Sequence, residues 1–378
     1  MNISNLRPVT QVEHLKGVYV IVRSSLNLPL QDGVATNLYR LHQALPTLRY
    51  LHEAGARVIL IGHIGRKPDQ TLQPVFDELV KLLPAQWGGV IGSQECLQRR
   101  DLMNDGDILM LENTRQHEGE TTNDPDFAQS IADLGALYVN DAFAVAHRSH
   151  ASTVGVAALL PSYAGLTLLQ EVQKLSSVMK PTSPSLFIIG GGKFETKMPL
   201  VEKYLGICSR TFIGGALVND VLKAKGYEVG LSLVSDVSLV GAAFLDNSKL
   251  ILPVDLIVAG RTGGKRTCAL DQVTADEAIL DAGPKTVAML RGYTTTAATI
   301  VWNGPLGNYE AGYGDATEAV ARLVAESSAI SVVGGGDTVA AIKKLGLNDQ
   351  FTHISIAGGA MLEFLEKGTL PAIEALSI

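Results

Sequence analysis

The sequence predicts an α/β protein with two doubly wound parallel-sheet (Rossmann-like) domains joined by a hinge helix. Short continuous runs of Val, Ile and Leu recur along the chain, and such runs are typical of strands buried on both faces of a parallel sheet. Helix-like stretches alternate with these runs, as right-handed βαβ units require. A chain of 378 residues is also too long for one ordinary hydrophobic core and suits two domains.

Strands are predicted at each of the apolar runs. In the first half of the chain they cover residues 18–24, 57–63, 107–113 and 137–141. In the second half they cover residues 185–191, 211–215, 250–259, 299–304, 330–336 and 353–359. Helices are predicted over 40–55, 127–136, 315–327 and 337–346. Several of these helices end in Gly, which suits a helix C-cap.

One segment, AGLTLLQEVQKLSSVMKPTSPS (164–185), interrupts this alternation. It is typical of an amphipathic helix followed by a turn rich in Pro and Ser. We therefore place the hinge helix and linker at 164–184. The first domain then covers residues 1–163 and the second covers 185–362, while about 363–378 are assigned to the first domain by a resemblance described below.

Composition and charge restrict the class of protein. The net charge of -7 argues against a general nucleic-acid binder, which carries a basic balance. No apolar run is long enough to span a bilayer, and the first twenty residues lack the apolar core of a signal peptide. The three cysteines have no metal-binding spacing, and so few of them fit a reducing compartment. We expect a cytoplasmic protein without nucleic-acid or membrane partners.

Basic side chains follow the strands of the first half, where a doubly wound fold binds its ligands. They are Arg23, Arg40, His63, Arg66, Arg115, His147, Arg148 and His150. The polar residue Asn27 lies among them. A guanidinium presents a planar fork that binds carboxylate or phosphate with two hydrogen bonds. Any one of these arginines alone is explained as a solvated surface charge. Their repetition at successive strand ends predicts a site for an anionic ligand.

Glycines occupy the corresponding positions in the second half. They are Gly190–Gly192 before Lys193, Gly214 and Gly215, Gly304 after Asn303, Gly334–Gly336 before Asp337, and Gly358 and Gly359. Glycine lets backbone N–H groups approach phosphate at a helix N-terminus. The sequence contains no GxxxxGK[ST] motif and no GxGxxG after the first strand. A single Gly pair is explained by tight packing of a strand on a helix, but five such positions favour a nucleotide site.

Asp337 directly follows one of the glycine turns. Its carboxylate would hold a Mg²⁺ ion that bridges nucleotide phosphates, or it would cap its own helix. The histidines of the AHRSH and GHIGR segments do not have the spacing of a tetrahedral zinc site. Anion binding or structural hydrogen bonding is the expected role of these histidines.

Taken in order, several segments of the chain resemble phosphoglycerate kinases. They are RSSLNLPL, LENTRQH and YVNDAFAVAHRSHASTVGVAALLP in the first half, and GGGKFETKM, DAGPKT, VWNGPLGNYE, SVVGGGDTVAA and HISIAGGAM in the second. The resemblance runs from about residue 5 to the end of the chain. The combination of AHRSHAS, VWNGP and GGGD in this order is highly specific.

The resemblance implies a monomeric glycolytic enzyme that transfers a phosphoryl group reversibly and with Mg²⁺. Its substrates would be 1,3-bisphosphoglycerate with ADP in one direction and 3-phosphoglycerate with ATP in the other. The acid would be bound by Ser25, Asn27, Arg40, His63, Arg66, Arg115 and Arg148. The nucleotide would be bound by Lys193, Lys197, Gly214, Gly215, Asn303, Gly304, Pro305, Glu310, Gly334, Gly335, Gly336, Asp337 and Thr338.

The same resemblance assigns particular roles to some of these residues. Arg40 and Lys193, with the glycines at 335 and 336, would act on the transferring phosphoryl group. Glu310 would hold the ribose and Asp337 the metal. A hinge closure would exclude water before transfer, and residues after about 362 would pack on the first domain.

The chain departs from the family pattern at several positions. Ser25 replaces an Asp, Gln116 an aromatic residue, Thr196 an Asp, Ala216 a Gly, and Ile356 and Ala357 a Thr and a Gly. Two alternatives to an active phosphoglycerate kinase follow. Ser25 suggests a related kinase for another small acid, and the replacements in the nucleotide half suggest a non-catalytic nucleotide- or anion-binding homologue. Because Arg40, Lys193 and Asp337 are kept, the active kinase is the leading hypothesis.

Overall fold

The computed structural model of the chain describes residues 6–235, 241–261 and 264–377. The chain divides into two compact units. Unit 1 runs to Gln173 and resumes at Thr369, and unit 2 is Lys174–Gly368. The first division falls inside the segment 164–184 that was assigned to the hinge helix and linker, and the second lies a few residues after the boundary expected near 363.

Unit 1 is built on a six-stranded parallel sheet with the order β5-β6-β4-β1-β7-β8. A separate antiparallel hairpin has two residues in each of its strands. The strands of this unit are β1 (Tyr19–Ser24), β2 (Leu30–Gln31), β3 (Val34–Ala35), β4 (Arg57–Ile61), β5 (Gln86–Gly89), β6 (Ile108–Leu111), β7 (Leu137–Asp141) and β8 (Ser162–Ala164). From β1 the chain passes to β4 on one side and later to β7 on the other. The direction of winding therefore reverses at β1, which is where a doubly wound sheet binds its ligand.

Helices connect these strands and bury their apolar faces on the sheet. They are α1 (Tyr39–Glu53), α2 (Gln73–Leu79), α3 (Gln94–Asp101), α4 (Gly119–Thr122), α5 (Pro125–Ala132) and α6 (Leu166–Ser177). Local sequence sets their starts, since Ser93 accepts from the Cys96 amide at 3.1 Å and Asp124 from the Phe127 amide at 2.9 Å. The division between the units falls inside α6.

Unit 2 contains a second six-stranded parallel sheet, with the order β11-β10-β9-β15-β16-β17. A separate antiparallel sheet has the order β13-β12-β14. The strands are β9 (Ser185–Ile189), β10 (Arg210–Ile213), β11 (Leu250–Ile251), β12 (Leu256–Gly260), β13 (Lys265–Cys268), β14 (Glu277–Ala282), β15 (Thr299–Asn303), β16 (Ile330–Gly334) and β17 (His353–Ser355). Winding reverses between β9 and β15, which places a second ligand position there.

The single strand predicted over 250–259 is wrong. The structure has two strands there, β11 and β12, and they belong to different sheets. Pro253 lies between them and cannot donate to a strand ladder. The buried carboxylate of Asp255 then accepts from the amides of Lys285 and Thr286 at 3.0 and 2.7 Å, which ties the turn to the start of a helix.

The helices of unit 2 cover its main sheet. They are α7 (Phe194–Ile207), α8 (Leu217–Ala224), α9 (Ala242–Leu245), α10 (Pro284–Thr296), α11 (Asp315–Ala325), α12 (Gly336–Lys344) and α13 (Gly358–Lys367). The core includes Trp302 and Phe212, both fully buried. An α/β fold with a parallel sheet in each of two units is thus confirmed.

A final helix, α14 (Pro371–Ala375), belongs to unit 1. The Ala372 amide donates to the carbonyl of Ala146 at 3.0 Å, and Ala372 and Ile373 are buried. Among the residues that the structure describes, no helix is long and apolar enough to cross a membrane.

Candidate active site

The polar residues predicted from unit 1 follow β1, β4, β6 and β7 at one edge of the sheet. Asn27 and Ser25 follow β1, while His63 and Arg66 follow β4. Parallel register brings these strand ends together, with Val22 opposite Leu60 and Arg23 opposite Asn140. The sheet therefore gathers residues that lie up to 127 positions apart, Arg23 and His150 being the extremes.

Arg23 is fully buried beneath this edge. Its Nε donates to the Ser152 hydroxyl at 3.0 Å, one terminal nitrogen donates to the carbonyl of its neighbour Ser24, and the other lies 2.8 Å from Nδ1 of His63. Burial lowers the pKa of Arg23 from its ordinary value, and the charge of Glu120 opposes that shift. The guanidinium remains charged because its ordinary pKa lies far above neutrality.

His63 is 3% exposed. Burial lowers its pKa strongly, and the nearby charges of Arg23, Arg115 and Arg148 lower it further. The imidazole is therefore neutral at physiological pH. Because a guanidinium only donates hydrogen bonds, Nδ1 of His63 accepts from Arg23 and the proton lies on Nε2.

The loops around the site are fixed by side-chain contacts to backbone. Arg40, the second residue of α1, donates to the carbonyl of Asn27, and the side chain of Asn27 accepts from the Gly65 amide at 2.9 Å. Arg115 donates to the carbonyl of Gly65. Burial lowers the pKa values of both Arg40 and Arg115. These contacts align the two guanidinium groups beside the loop that carries His63 and Arg66.

The outer part of this cluster is Arg66 and Arg148, which are both exposed. Arg148 and Arg23 act on Arg115 through their charges, as Arg66 does more weakly, so these guanidinium groups lie within electrostatic range of Arg115. Among the described residues, none of Arg23, Arg40, Arg66, Arg115 and Arg148 forms an ion pair with a carboxylate. Glu120 acts on Arg23 and Arg115 through its charge, but the arginines outnumber it, and the net positive charge of the cluster favours binding of a multiply charged anion.

Ser25 is partly exposed and follows β1 directly. The neighbouring hydroxyl of Ser24 and Nε of Arg115 are buried without a hydrogen-bond partner. An unpartnered buried donor costs about 1–3 kcal/mol unless something bonds to it. The site thus holds unused hydrogen-bonding capacity next to the arginines.

A cavity of about 420 Å³ lies at the corresponding edge of unit 2. Five residues predicted to bind nucleotide line it: Gly214, Gly215, Pro305, Glu310 and Asp337. Its remaining wall is largely apolar, formed by Val218, Leu231, Leu233, Pro253, Leu256, Ala278 and Leu306. A cavity of this size with an apolar wall and a glycine-rich rim suits a planar base with an attached polar group.

The glycines of this edge divide into two groups. A Cβ at Gly304, which has φ +91°, would lie 2.3 Å from the carbonyl oxygen of Gly190, and a Cβ at Gly190 would lie 2.1 Å from the carbonyl of Pro305. Tight backbone packing therefore explains these two glycines. A Cβ at Gly336 or Gly192 would meet nothing within 4 Å. Those two positions face open space, and Gly336 begins α12, where backbone N–H groups are free to meet an anion.

Two lysines stand at the start of α7. Lys193 occupies the N-cap position with φ +62°, a region that non-glycine residues rarely adopt, and its side chain is exposed. Nζ of Lys197 donates to the carbonyl of Gly190 at 2.6 Å. Burial and then the charge of Lys193 lower the pKa of Lys197 to about 8, while Asp337 opposes the shift. The two ammonium groups and Asp337 are therefore electrostatic neighbours.

Asp337 does not cap α12, because the N-cap is Gly335 and no side chain bonds there. Its carboxylate is half-buried at the cavity rim, one residue before the buried Thr338, whose hydroxyl has no partner. Within residues 6–235, 241–261 and 264–377 no group of three or more His, Cys, Asp or Glu is placed to hold a metal ion. A single carboxylate fits Mg²⁺ all the same, since this ion is commonly held by one carboxylate together with substrate phosphates.

The other predicted nucleotide residues lie at neighbouring strand ends without lining the cavity. Asn303 is 3% exposed and its amide lies 3.9 Å from the sulfur of Met361, while the Gly304 amide donates to the carbonyl of Gly334 at 3.4 Å. Asn303 ends β15 and Gly334 ends β16, and the two residues lie opposite each other in the sheet where these strands end.

Sequence reasoning missed several residues that build these sites. Asn113 accepts from the amides of Ile64 and Arg115 and donates to the carbonyl of Gln70, so it fixes the loop behind His63. Glu120 is fully buried and bonds Ser152. Both lie in polar stretches that resemble ordinary loops. The apolar cavity wall was also missed, because its side chains look like core residues in the sequence.

The chain is similar to known proteins over nearly its whole length. The family model described as phosphoglycerate kinase matches residues 9–368. A phosphoglycerate kinase of Rubrobacter xylanophilus is 44% identical, with 98% of each chain covered, and one of Maricaulis maris is 41% identical, with 95% of each covered. The solved phosphoglycerate kinase of Coxiella burnetii is 37% identical and superposes with a TM-score of 0.85 over 98% of each chain. That of Pyrococcus horikoshii is 29% identical, with a TM-score of 0.86 over 98% of each.

The chain belongs to the phosphoglycerate kinase family. The family predicted from the sequence is confirmed, and the enzyme class predicted with it, a phosphotransferase, is confirmed as well. Like the other members of the family, the protein is a kinase, and therefore a transferase, of glycolysis. The comparisons do not favour a kinase for another acid or a non-catalytic homologue.

The structure also locates the positions where this chain departs from other phosphoglycerate kinases. Ala216 lines the nucleotide cavity. Ala357 is buried and precedes α13 as its N-cap, where its amide donates to the Ser355 hydroxyl at 3.3 Å. A Cβ at Gly334 would lie 2.2 Å from the sulfur of Met361, so α13 packs tightly against the end of β16. Ala357 therefore belongs to the packed start of α13, whereas Ala216 lines the cavity.

Proposed function

We propose that this chain catalyses reversible, Mg²⁺-dependent phosphoryl transfer between 1,3-bisphosphoglycerate with ADP and 3-phosphoglycerate with ATP. The observation that carries the proposal is the cluster of arginines at the edge of the unit 1 sheet, which form no ion pair with a carboxylate among the described residues. Such a cluster is matched to a small acid with two anionic groups. The glycine-rimmed cavity of unit 2 supplies the nucleotide half of the reaction.

Arg66, Arg115 and Arg148, with neutral His63 and Asn27, bind and orient the acid. Arg40 and Lys193 meet the transferring phosphoryl group, whose equatorial oxygens carry the developing charge. Catalysis then consists of in-line positioning and charge neutralisation, with little covalent chemistry for the protein to perform. Ser25 borders the acid and offers a hydroxyl in place of a carboxylate.

In unit 2 the apolar wall of the cavity receives the base, and Glu310 at its rim accepts from the ribose. Lys197, Asn303, Gly304, Gly334, Gly335 and Gly336 with Thr338 surround the phosphates. Asp337 would hold Mg²⁺, which neutralises charge on the phosphates when bound. The free N–H groups at the start of α12 complete the phosphate site.

We also propose that the enzyme works as a cytoplasmic monomer and excludes water by closing a hinge near α6. The three cysteines are free and buried, which suits a reducing compartment. Neither nucleic acid nor a membrane is expected as a partner. Light scattering after size-exclusion chromatography should give a mass near 40.1 kDa. Small-angle scattering should show a smaller radius of gyration with both substrates than with either one alone.

The activity is tested with purified protein, MgATP and 3-phosphoglycerate in an assay that consumes the product acyl phosphate. Turnover well above that of the Lys193→Ala variant is expected. No turnover above this control would overturn the proposal. Faster turnover of another phosphorylated or hydroxy acid would establish the related kinase, and calorimetry that shows acid binding without nucleotide binding would establish the non-catalytic homologue.

A further inference from the structure

A network of buried polar side chains lies beneath the acid site of unit 1, and of its members only His63 has a role in the proposed function. Its members are Glu120 on α4, Ser152 in the turn 151–155, Arg23 on β1 and His63 after β4. The first three are fully buried and His63 is 3% exposed. Four separate segments of the polypeptide therefore meet through buried polar side chains, in a place where unmatched polar groups are costly.

The hydrogen bonds of this network run outward from Arg23, on one side through Ser152 to Glu120 and on the other side to His63. The Ser152 hydroxyl donates to Oε1 of Glu120 at 2.6 Å and accepts from Nε of Arg23 at 3.0 Å. The Ser152 amide donates to Oε2 of Glu120 at 3.0 Å, so the carboxylate holds this serine at two points. The hydroxyl of Tyr138 donates to the Ser152 carbonyl at 2.7 Å, which is a third hydrogen bond that fixes this serine. Ser152 is thus a fixed bridge between a buried anion and a buried cation.

The contact with Arg23 determines which nitrogen of His63 carries the proton. A terminal nitrogen of Arg23 lies 2.8 Å from Nδ1 of His63. Because the guanidinium has no acceptor, Nδ1 must present its lone pair, and the neutral ring then carries its proton on Nε2. The position of Arg23 in turn depends on Ser152 and Glu120.

Charge balance supports this arrangement. The pKa of Glu120 is lowered overall: burial raises it, but the contact with His150, the charge of Arg23 and the bonds from Ser152 outweigh burial. Burial and then the charges of Arg23, Arg115, Arg148 and His150 lower the pKa of His63. The network therefore carries one buried negative charge on Glu120 and one buried positive charge on Arg23. Protonating His63 would add a second positive charge with no counter-ion.

We propose that Glu120 and Ser152 are positioning residues, which hold Arg23 against His63 so that His63 meets the acid as a neutral imidazole donating from Nε2. The nature of the ligand rests on the proposed function. The tautomer and its dependence on Ser152 do not, since both belong to the protein without substrate. A consequence is that acid binding does not change with His63 titration between about pH 5 and pH 8, where histidine ordinarily gains a proton.

The first test observes the imidazole nitrogens of the substrate-free full chain by long-range ¹H–¹⁵N NMR. The His63 signals are identified by their loss in His63→Gln. We expect an unprotonated Nδ1 and a protonated Nε2 that do not change across that pH range. A proton on Nδ1, or titration of His63 within the range, would overturn the proposal.

The second test removes the bridge with Ser152→Ala. We expect a mixture of His63 tautomers, a His63 that begins to titrate, and a KM for 3-phosphoglycerate that rises about tenfold while kcat changes little. The matched control is Ser162→Ala. This serine is also buried in the same unit, and among the described residues its hydroxyl donates only to the carbonyls of Ala157 and Leu160, at 3.1 and 2.8 Å.

Glu120→Gln provides a second variant that keeps shape and removes the charge. It should weaken the hold on Ser152 and shift the His63 signals in the same direction as Ser152→Ala. If both variants leave the His63 tautomer and the KM as they are in Ser162→Ala, the network is only structural and the positioning role is wrong. If the wild-type protein shows no turnover of 3-phosphoglycerate, the proposed function fails, while the NMR result still decides this inference.

Discussion

Nζ of Lys197 lies 2.6 Å from the carbonyl oxygen of Gly190, so this lysine turns back onto the glycine turn that precedes its own helix. The contact takes the ammonium group out of water next to Lys193, and the pKa of Lys197 falls to about 8. A lysine with this pKa loses its charge within the range of ordinary assays. The nucleotide site therefore has a built-in dependence on pH.

We predict that nucleotide binding takes up a proton near pH 8. Phosphate charge favours the ammonium form and raises the pKa of Lys197 on binding, so affinity falls as pH rises through about 8. Calorimetry in buffers of different ionisation enthalpy should show an uptake of about half a proton at pH 8 and almost none at about pH 6. Lys197→Arg stays charged and should bind without the uptake. An equal uptake in that variant would assign the proton to another group.

Arg40→Ala and Lys193→Ala should lower kcat far more than they raise KM. Both side chains act on charge that develops in the transition state, and loss of one such contact costs about 10²–10³-fold in kcat. Steady-state kinetics with each substrate varied in turn gives the comparison. An unchanged kcat in Lys193→Ala would remove it from the transfer step.

Arg148→Ala should instead raise the KM for the acid by roughly tenfold and leave kcat nearly unchanged. Arg148 is exposed at the outer side of the cluster, where it attracts and holds the anion in the ground state. Raising the salt concentration should weaken acid binding less in this variant than in the wild-type protein. A fall in kcat without a change in KM would contradict this role.

Gly304→Ala and Gly336→Ala form a matched pair that separates packing from ligand contact. Alanine at 304 would need φ +91° and would place its Cβ 2.3 Å from the Gly190 carbonyl, so the free energy of unfolding should fall by about 2–4 kcal/mol. Alanine at 336 meets open space, so stability should hold while kcat falls, because a methyl group would stand at the phosphate. Denaturant unfolding and kinetics measure both. Equal destabilisation would show that Gly336 is also a packing residue.

Ser25→Asp should lower the KM for 3-phosphoglycerate by about threefold to tenfold, since a charged acceptor bonds a substrate hydroxyl more strongly than a serine does. Ser25→Asn, of the same shape without charge, is the control and should have a smaller effect. Titration of both variants with the acid measures the difference. Weaker binding by the aspartate variant would show that the pocket is built around Ser25.

The parts of this protein that sequence alone predicted are those with a local chemical signature. Apolar runs located most of the parallel strands, because both of their faces are buried, but not the short edge strands β5 and β8 of unit 1. The single strand predicted at 250–259 was wrong, because an apolar stretch does not reveal that the residues before and after Pro253 belong to different sheets. Strand β13, Lys265–Cys268, is largely exposed and carries no such run.

The same contrast holds at the sites. Arginines at strand ends stand out by charge, and their roles follow from a resemblance. Glu120 and Ser152 do not stand out, because their importance comes from meeting Arg23, more than 90 residues earlier in the chain. Glycine identity likewise did not distinguish Gly304, which packs on backbone, from Gly336, which faces open space.

Unit 1 is assembled from both ends of the chain, with α14 bonded to Ala146 and its apolar side chains buried. Unit 2 is one continuous stretch, Lys174–Gly368. On the ribosome, unit 2 therefore has all of its residues first, while unit 1 waits for the last segment although its strands were made earliest. Hydrogen exchange on stalled chains should show protection in β9 and β15 before full protection in β1. Synthesis order and folding order are thus expected to run in opposite directions in this protein.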